Sequence, residues 1–288
     1  MRLIQAWALA ISLLLPLSLS AQAPSAQRST GDAGADAQSA DSAEAQHRAA
    51  LAKLYETADV RVIIPGVVFN AGLLDLAESY TKATGKTVGI RLVGMGRIVE
   101  AIKTMNPPPD VISLPFSLMG TLALDGGVVH GSFRPLGRSE MGLAVPAGKP
   151  HPDISTVEKL AAALRSAKAV MRSNPANGSM VASVIRDKVI NRREFAGVNS
   201  PVSTRGEGGQ ALARGEGDMA IQAICEIYPY KQIELVAPLP RELEAWIDMS
   251  TAVAARAAHK ENGADFIQYL LRPQSKSVWK SKGLEVYD

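Results

Sequence analysis

From residue 58 onward, short apolar runs alternate with stretches whose apolar residues recur at helical spacing. Asp59 to Pro65 reads as a strand, and Ala71 to Lys82 as a helix with Leu73, Leu74, Ala77 and Tyr80 on one face. Gly85 stops that helix, Thr87 to Val93 is the next strand, and Gly94 and Gly96 turn the chain into a helix carrying Ile98, Val99, Ile102 and Met105. Asn106 and three prolines end it, and Asp110 to Leu114 is a third strand. Strands linked by helices need crossover connections, so the pattern predicts an α/β fold with a parallel, doubly wound sheet.

The rhythm then breaks and restarts. Met141 to Val145 is a strand closed by Pro146, Gly148 and Pro150, and Ser155 to Glu158 reads as a capping box opening a helix with Val157, Leu160, Ala161 and Leu164 buried. Ala167 to Met171 and Asp218 to Gln222 read as strands, with helices at Asn177 to Ile190 and Gly208 to Arg214 between them. Beyond Pro238-Leu239-Pro240 the strand Thr251 to Ala255 returns, followed by helices at Asn262 to Leu271 and Pro273 to Lys282. A second α/β unit followed by a return to the first divides the chain into 58–137 and 241–288 for one lobe and 138–240 for the other.

The N-terminus changes the expected compartment. An apolar run from Ala6 to Leu19 after Arg2, then Ala21-Gln22-Ala23, is the pattern of a cleaved secretory signal over residues 1–23. Residues 24–57 form a leader: to about Glu44 they hold almost nothing to bury, and Ala45 to Tyr55 has helix-forming composition. The one cysteine, Cys225, excludes an internal disulfide despite export. A formal charge of +3 is too small to indicate a nucleic-acid surface. The expected product is a soluble periplasmic monomer.

Catalytic patterns are missing. His47, His130, His151 and His259 stand at no metal or triad spacing, and no P-loop, GxSxG or CxxC occurs. What recurs instead is the strand-to-helix junction, where helix starts present N–H groups without partners. Four qualify: Gly66 to Asn70, Gly94 to Arg97, Ser173 to Ser179, and Thr204 to Gly209, two from each α/β unit. A small anion gripped by backbone from both sides, with no cofactor and no metal, is the expectation. The candidate contacts are Gly66, Val68, Phe69, Asn70, Met95, Gly96, Arg97, Phe116, Ser173, Asn177, Gly178, Ser179, Arg205, Gly206 and Gln222. Phe116 and Met95 also read as packing residues. An arginine in the first turn of a helix opposes the macrodipole, so Arg97 asks for a compensating anion. An exported α/β enzyme with Glu207 or Glu226 as base is the competing class, and a ligand sensor using the same cleft is a third.

Four stretches carry a family resemblance: LLDLAESYTKATGKTV, PPPDVISL after the second junction, ARGEGDMAI, and DFIQYLLRPQSKSVWKSKGLEV. From about Val60 to Val286 the chain resembles type 2 periplasmic solute-binding proteins of the molybdate-binding-like group. The resemblance implies two lobes joined by two crossing strands, a ligand closed between them, and delivery to the membrane permease of an ABC transporter. Molybdate binders hold their oxyanion with serine hydroxyls in the first two loops and a tyrosine from the far lobe. This chain has Val68, Met95-Gly96-Arg97 and Gln222-Ala223 at those places. Lost hydroxyls and a gained guanidinium favour a carboxylate-bearing ligand over molybdate or tungstate.

Overall fold

A computed structural model describes residue 46 and residues 49–287. Its strands are β1 Val60–Ile64, β2 Val88–Leu92, β3 Val111–Pro115, β4 Arg134–Pro146, β5 Val170–Met171, β6 Met219–Ala223, β7 Ile233–Pro238, β8 Trp246–Val253 and β9 Leu284–Val286. They pair in the order β2-β1-β3-β8-β4-β6-β5, with β7 and β9 also on β4. The first lobe is built on β2, β1 and β3, which run parallel, and on β8, which is antiparallel to β3. The sheet is therefore mixed rather than wholly parallel: the chain comes back from the second lobe and enters beside β3 from the opposite end.

β4 is longer than its apolar half predicts. Arg134 to Glu140 pairs with β8, while Met141 to Ala144 pairs with β6 and Gly142 to Pro146 with β7. One strand thus serves both lobes, and residues 239–245 between β7 and β8 make the second crossing. The helix Phe116–Leu124 and strand β9 lie outside the sequence pattern as well.

The first junction departs most from expectation. The chain turns helical at once through Gly66–Val68 and Phe69–Leu73 before the regular helix Leu74–Thr84. Gly72, at φ +118, kinks this run, and a Cβ there would press on Val278 Cγ1 at 3.1 Å. Ser155 to Glu158 is not a capping box either: Thr156 is the cap, accepting from Lys159 N–H, and Asp153 takes the Ser155 N–H. The reciprocal box sits at Glu207 and Gln210 instead.

Asp59 ties the starts of β1 and β2 together. Its Oδ2 accepts from Thr87 N–H and Thr87 Oγ1, each at 2.8 Å, and these bonds hold the carboxyl below its ordinary range. A depressed carboxylate stabilises above its unfolded pKa, and that contribution is lost as pH falls through the folded one. Asp59→Asn should lower the melting temperature at pH 7, and the gap from wild type should close below about pH 4. Parallel melting curves for both proteins from pH 7 to pH 3 check this; a gap that widens in acid would contradict it.

Candidate functional site

The carboxyl ends of β1 and β2 in one lobe face those of β5 and β6 in the other, and a cavity of about 290 Å³ lies between them. The first lobe contributes Gly66, Asn70, Leu92, Val93 and Gly94; the second contributes Gly206, Glu207, Gln210, Glu226 and Tyr230. Three of the four predicted junctions meet here. The fourth closes the cleft at one side: a Cβ on Gly96 would stand 3.5 Å from Gly178 O of the opposite lobe. A smaller cavity of about 150 Å³, lined by Pro109 and Ile112 among others, opens near the start of β3, at the strand end that α/β sheets do not use for ligands.

The second-lobe wall is a polar cluster packed under the cavity. Ser173 leaves β5 almost fully buried and hydrogen-bonds Gln222 Oε1 at 2.9 Å and Glu207 Oε2. Gly208 N–H donates to Ser173 Oγ at 3.1 Å, holding the start of helix Gly208–Ala213 against β5. Gln222, fully buried on β6, directs its amide to Glu207 Oε2 at 3.3 Å and to Glu226 Oε2. The turn Ile224–Glu226 after β6 brings Glu226 toward the other lobe, where a Cβ on Gly66 would meet its Oε1 at 3.3 Å. Across the cleft, the ten-residue helix Met95–Thr104 starts at Gly94 with the Met95 and Gly96 N–H groups ahead of any intrahelical acceptor.

The predicted contacts divide accordingly. Gly66, Asn70 and Gly206 line the cavity, and Ser173 and Gln222 form its underlying cluster. Val68 and Phe69 are buried in the hydrophobic core, because the immediate helical turn points them inward. Met95 packs in that core too. Phe116 lies against Phe133 and Tyr287, with ring centroids 5.6 and 6.1 Å away. Ser179 caps helix Met180–Ile185 by accepting from Ala182 N–H at 3.2 Å, and Asn177 belongs to the short turn Pro175–Asn177. Arg205 is exposed beside Gly206. Glu207 and Glu226 were legible only as candidate bases, and Tyr230 not at all. A polar residue one turn past a strand end is the pattern that marks Glu226.

Arg97 is exposed, is not among the cavity's lining residues, and its guanidinium makes no hydrogen bond or ion pair with the described residues. Arg97→Ala should therefore change the affinity for any cleft ligand by less than about tenfold. Calorimetric titration of both proteins measures this, and a hundredfold loss would put the guanidinium in the site. Arg172 differs: burial, and then the nearby Arg186, lower its pKa, and its Nη1 is buried without a hydrogen-bond partner among the described residues. Cys225 is buried beside Ser139, and burial pushes its thiol pKa up, so it packs rather than reacts. No group of three or more metal-ligating side chains occurs among the described residues.

Two α/β lobes, two crossings and a polar cleft at facing strand ends are the architecture of type 2 periplasmic solute-binding proteins. The chain belongs to the bacterial extracellular solute-binding protein family, whose model matches residues 60–285. Among curated proteins it is similar to aconitate isomerase of a Pseudomonas species, 26% identical over 215 residues, covering 73% of this chain and 82% of that one. Its fold is similar to the periplasmic molybdate-binding protein of Azotobacter vinelandii, with 17% identity, TM-score 0.59, and 79% and 99% of the two chains covered. It is also similar to Peb3 from Campylobacter jejuni, with 18% identity, TM-score 0.56, and 79% and 100% covered. The ferric binding protein of Campylobacter jejuni, at 14% identity and TM-score 0.53 over 78% and 85% of the chains, shares the architecture too. The fold therefore leaves the ligand open. The family's extracellular description agrees with export, while the signal reading falls on residues outside the described ones. No helix among the described residues is long and apolar enough to cross a membrane.

Proposed function

We propose that this chain is a carrier that closes its lobes on a small organic acid outside the cytoplasm and hands it to the permease of an ABC-type importer. The observation that carries the reading is the cleft itself. At about 290 Å³ it sits near the lower edge of small-molecule pockets, roughly 300–1,000 Å³. That is more than a five-atom oxyanion needs. Helix N–H groups on one side suit a carboxylate, and the relative named aconitate isomerase supports the acid class.

Ligand binding stabilises the closed form by mass action, about 2.7 kcal/mol at a hundredfold excess over Kd. For a domain of this size that is a rise of roughly 5–10 °C in Tm. A thermal-shift panel of carboxylic acids with molybdate, tungstate and sulfate tests the reading. An unchanged Tm throughout would refute it, and a shift with oxyanions alone would transfer it to molybdate-type ligands.

A second reading has a specific observation behind it: Glu207 and Glu226 both border the cavity, where a carboxylate base is positioned for proton transfer. An isomerase acting on a small acid would use one of them. Incubation with aconitate in D2O, followed by NMR, separates the two. The carrier reading expects an unchanged spectrum.

A further inference from the structure

Two primary amides line the cavity, one from each lobe: Asn70 in the helical turn after β1 and Gln210 in helix Gly208–Ala213. Both are half-buried. Gln210 Oε1 accepts from the Glu207 N–H at 2.8 Å, while the Gln210 N–H is answered by the Glu207 side chain, the two halves of the capping box. A backbone N–H can be matched only by the oxygen of an amide, so the box fixes which end of Gln210 is engaged and leaves both hydrogens of Nε2 over. Gly206, at φ +71, makes room for this arrangement, since a Cβ there would overlap Gln210 Oε1. Neither Gln210 Nε2 nor the Asn70 side chain has a hydrogen-bond partner among the described residues. The cap itself needs only the oxygen. Glutamate and glutamine serve alike at this position of a capping box, so the two amide N–H groups are surplus to the fold.

We infer that Gln210 contacts the solute and sets its specificity, donating from Nε2 to acid oxygen on the second-lobe side while Asn70 donates from the first. Among the described residues lining the cavity there is no lysine or arginine, so an acid held there is met by neutral N–H groups. Such a bond to an ionised oxygen is of the stronger, charge-assisted kind. Because the amides belong to different lobes, a solute held by both ties the lobes together. This inference rests on the organic-acid reading above and names the side chains that read the acid.

Gln210→Glu is the discriminating variant. It keeps an acceptor for the Glu207 N–H and exchanges both amide donors for a carboxylate oxygen. Wild type and variant are melted without ligand and titrated by calorimetry with succinate, malate, citrate and tricarballylate. The acid that wild type binds tightest should bind the variant about thirtyfold or more weaker, because a donor is lost and a like charge gained. The ligand-free Tm should fall by no more than about 3 °C, since the cap survives. Asn70→Asp should weaken the same acid in the same direction. Gly206→Ala, which displaces the Gln210 amide, gives the affinity readout if Gln210→Glu fails to fold. Affinity for that acid within about threefold of wild type would overturn the inference while leaving the carrier of organic acids intact, and a large fall in ligand-free Tm alongside it would make Gln210 a cap alone. No binding of any of the four acids by wild type would remove both.

Discussion

Trp279→Ala is expected to lower the melting temperature by roughly 10 °C. The indole is almost fully buried in helix Pro273–Ser281, and its Nε1 donates to Leu270 O at 2.9 Å. Truncating a buried tryptophan costs about 3–5 kcal/mol through lost transfer energy and the cavity left behind. A domain of roughly 230 residues shifts by about 2–4 °C per kcal/mol. The Leu270 carbonyl also loses its partner. Trp279→Phe keeps most of the volume and loses only the donor, so it should fall between wild type and alanine. The same helix backs the first junction, since Val278 stands against Gly72, and solute affinity should weaken with stability. Calorimetric or circular-dichroism melts decide the matter; a shift under about 3 °C would mean that the site collapses around the loss.

Gly208→Ala should have the largest effect on binding. A Cβ there would stand 2.6 Å from Arg172 Cα, 2.9 Å from its carbonyl carbon and 3.0 Å from its nitrogen. All three are backbone atoms of the strand end that leads into Ser173, so no flexible side chain can yield. The start of helix Gly208–Ala213 must lift, breaking Gly208 N–H to Ser173 Oγ and carrying Glu207 with it. Overpacking of this kind costs about 1–3 kcal/mol in stability. Displacing a positioned group by about 1 Å is worth on the order of a hundredfold. A loss of that size in affinity for the solute found by thermal shift is the expected result. Gly209→Ala is the matched control, because its nearest neighbour would be Glu226 O at 3.4 Å, ordinary contact. Equal affinities for the two variants would show that the Glu207 wall does not hold the solute.

Sequence pattern marks β1, β2, β3 and the helices that follow the first two, because short apolar runs and punctuating glycines are local signals. It does not mark Arg134 to Glu140 or Trp246 to Ser250. These segments are extended because each finds the other across the chain, with Arg134 opposite Thr251 and Glu140 opposite Trp246, and tertiary pairing overrides their composition. Helix Phe116–Leu124 leaves Phe116 and Leu124 exposed while Met119 and Leu122 are buried, so its apolar residues form no single periodic stripe to read. The junctions at Gly66, Gly94 and Gly206 are legible as cleft elements because glycine near a strand end is a conformational signal. The acidic character of the far wall is not, since it depends on the turn Ile224–Glu226 swinging one carboxylate toward another 19 residues earlier in the chain.

The course of β4 through both ladders has a mechanical consequence. Glu140 is its last residue paired with β8 and Met141 its first paired with β6, so any force moving one lobe against the other passes through that peptide and through the second crossing at residues 239–245. Bending concentrates at that peptide and in residues 239–245, while the ladders on either side resist shear. Neither lobe can shed its sheet without tearing a strand from its neighbour, which makes the molecule a bending beam rather than two beads on a string.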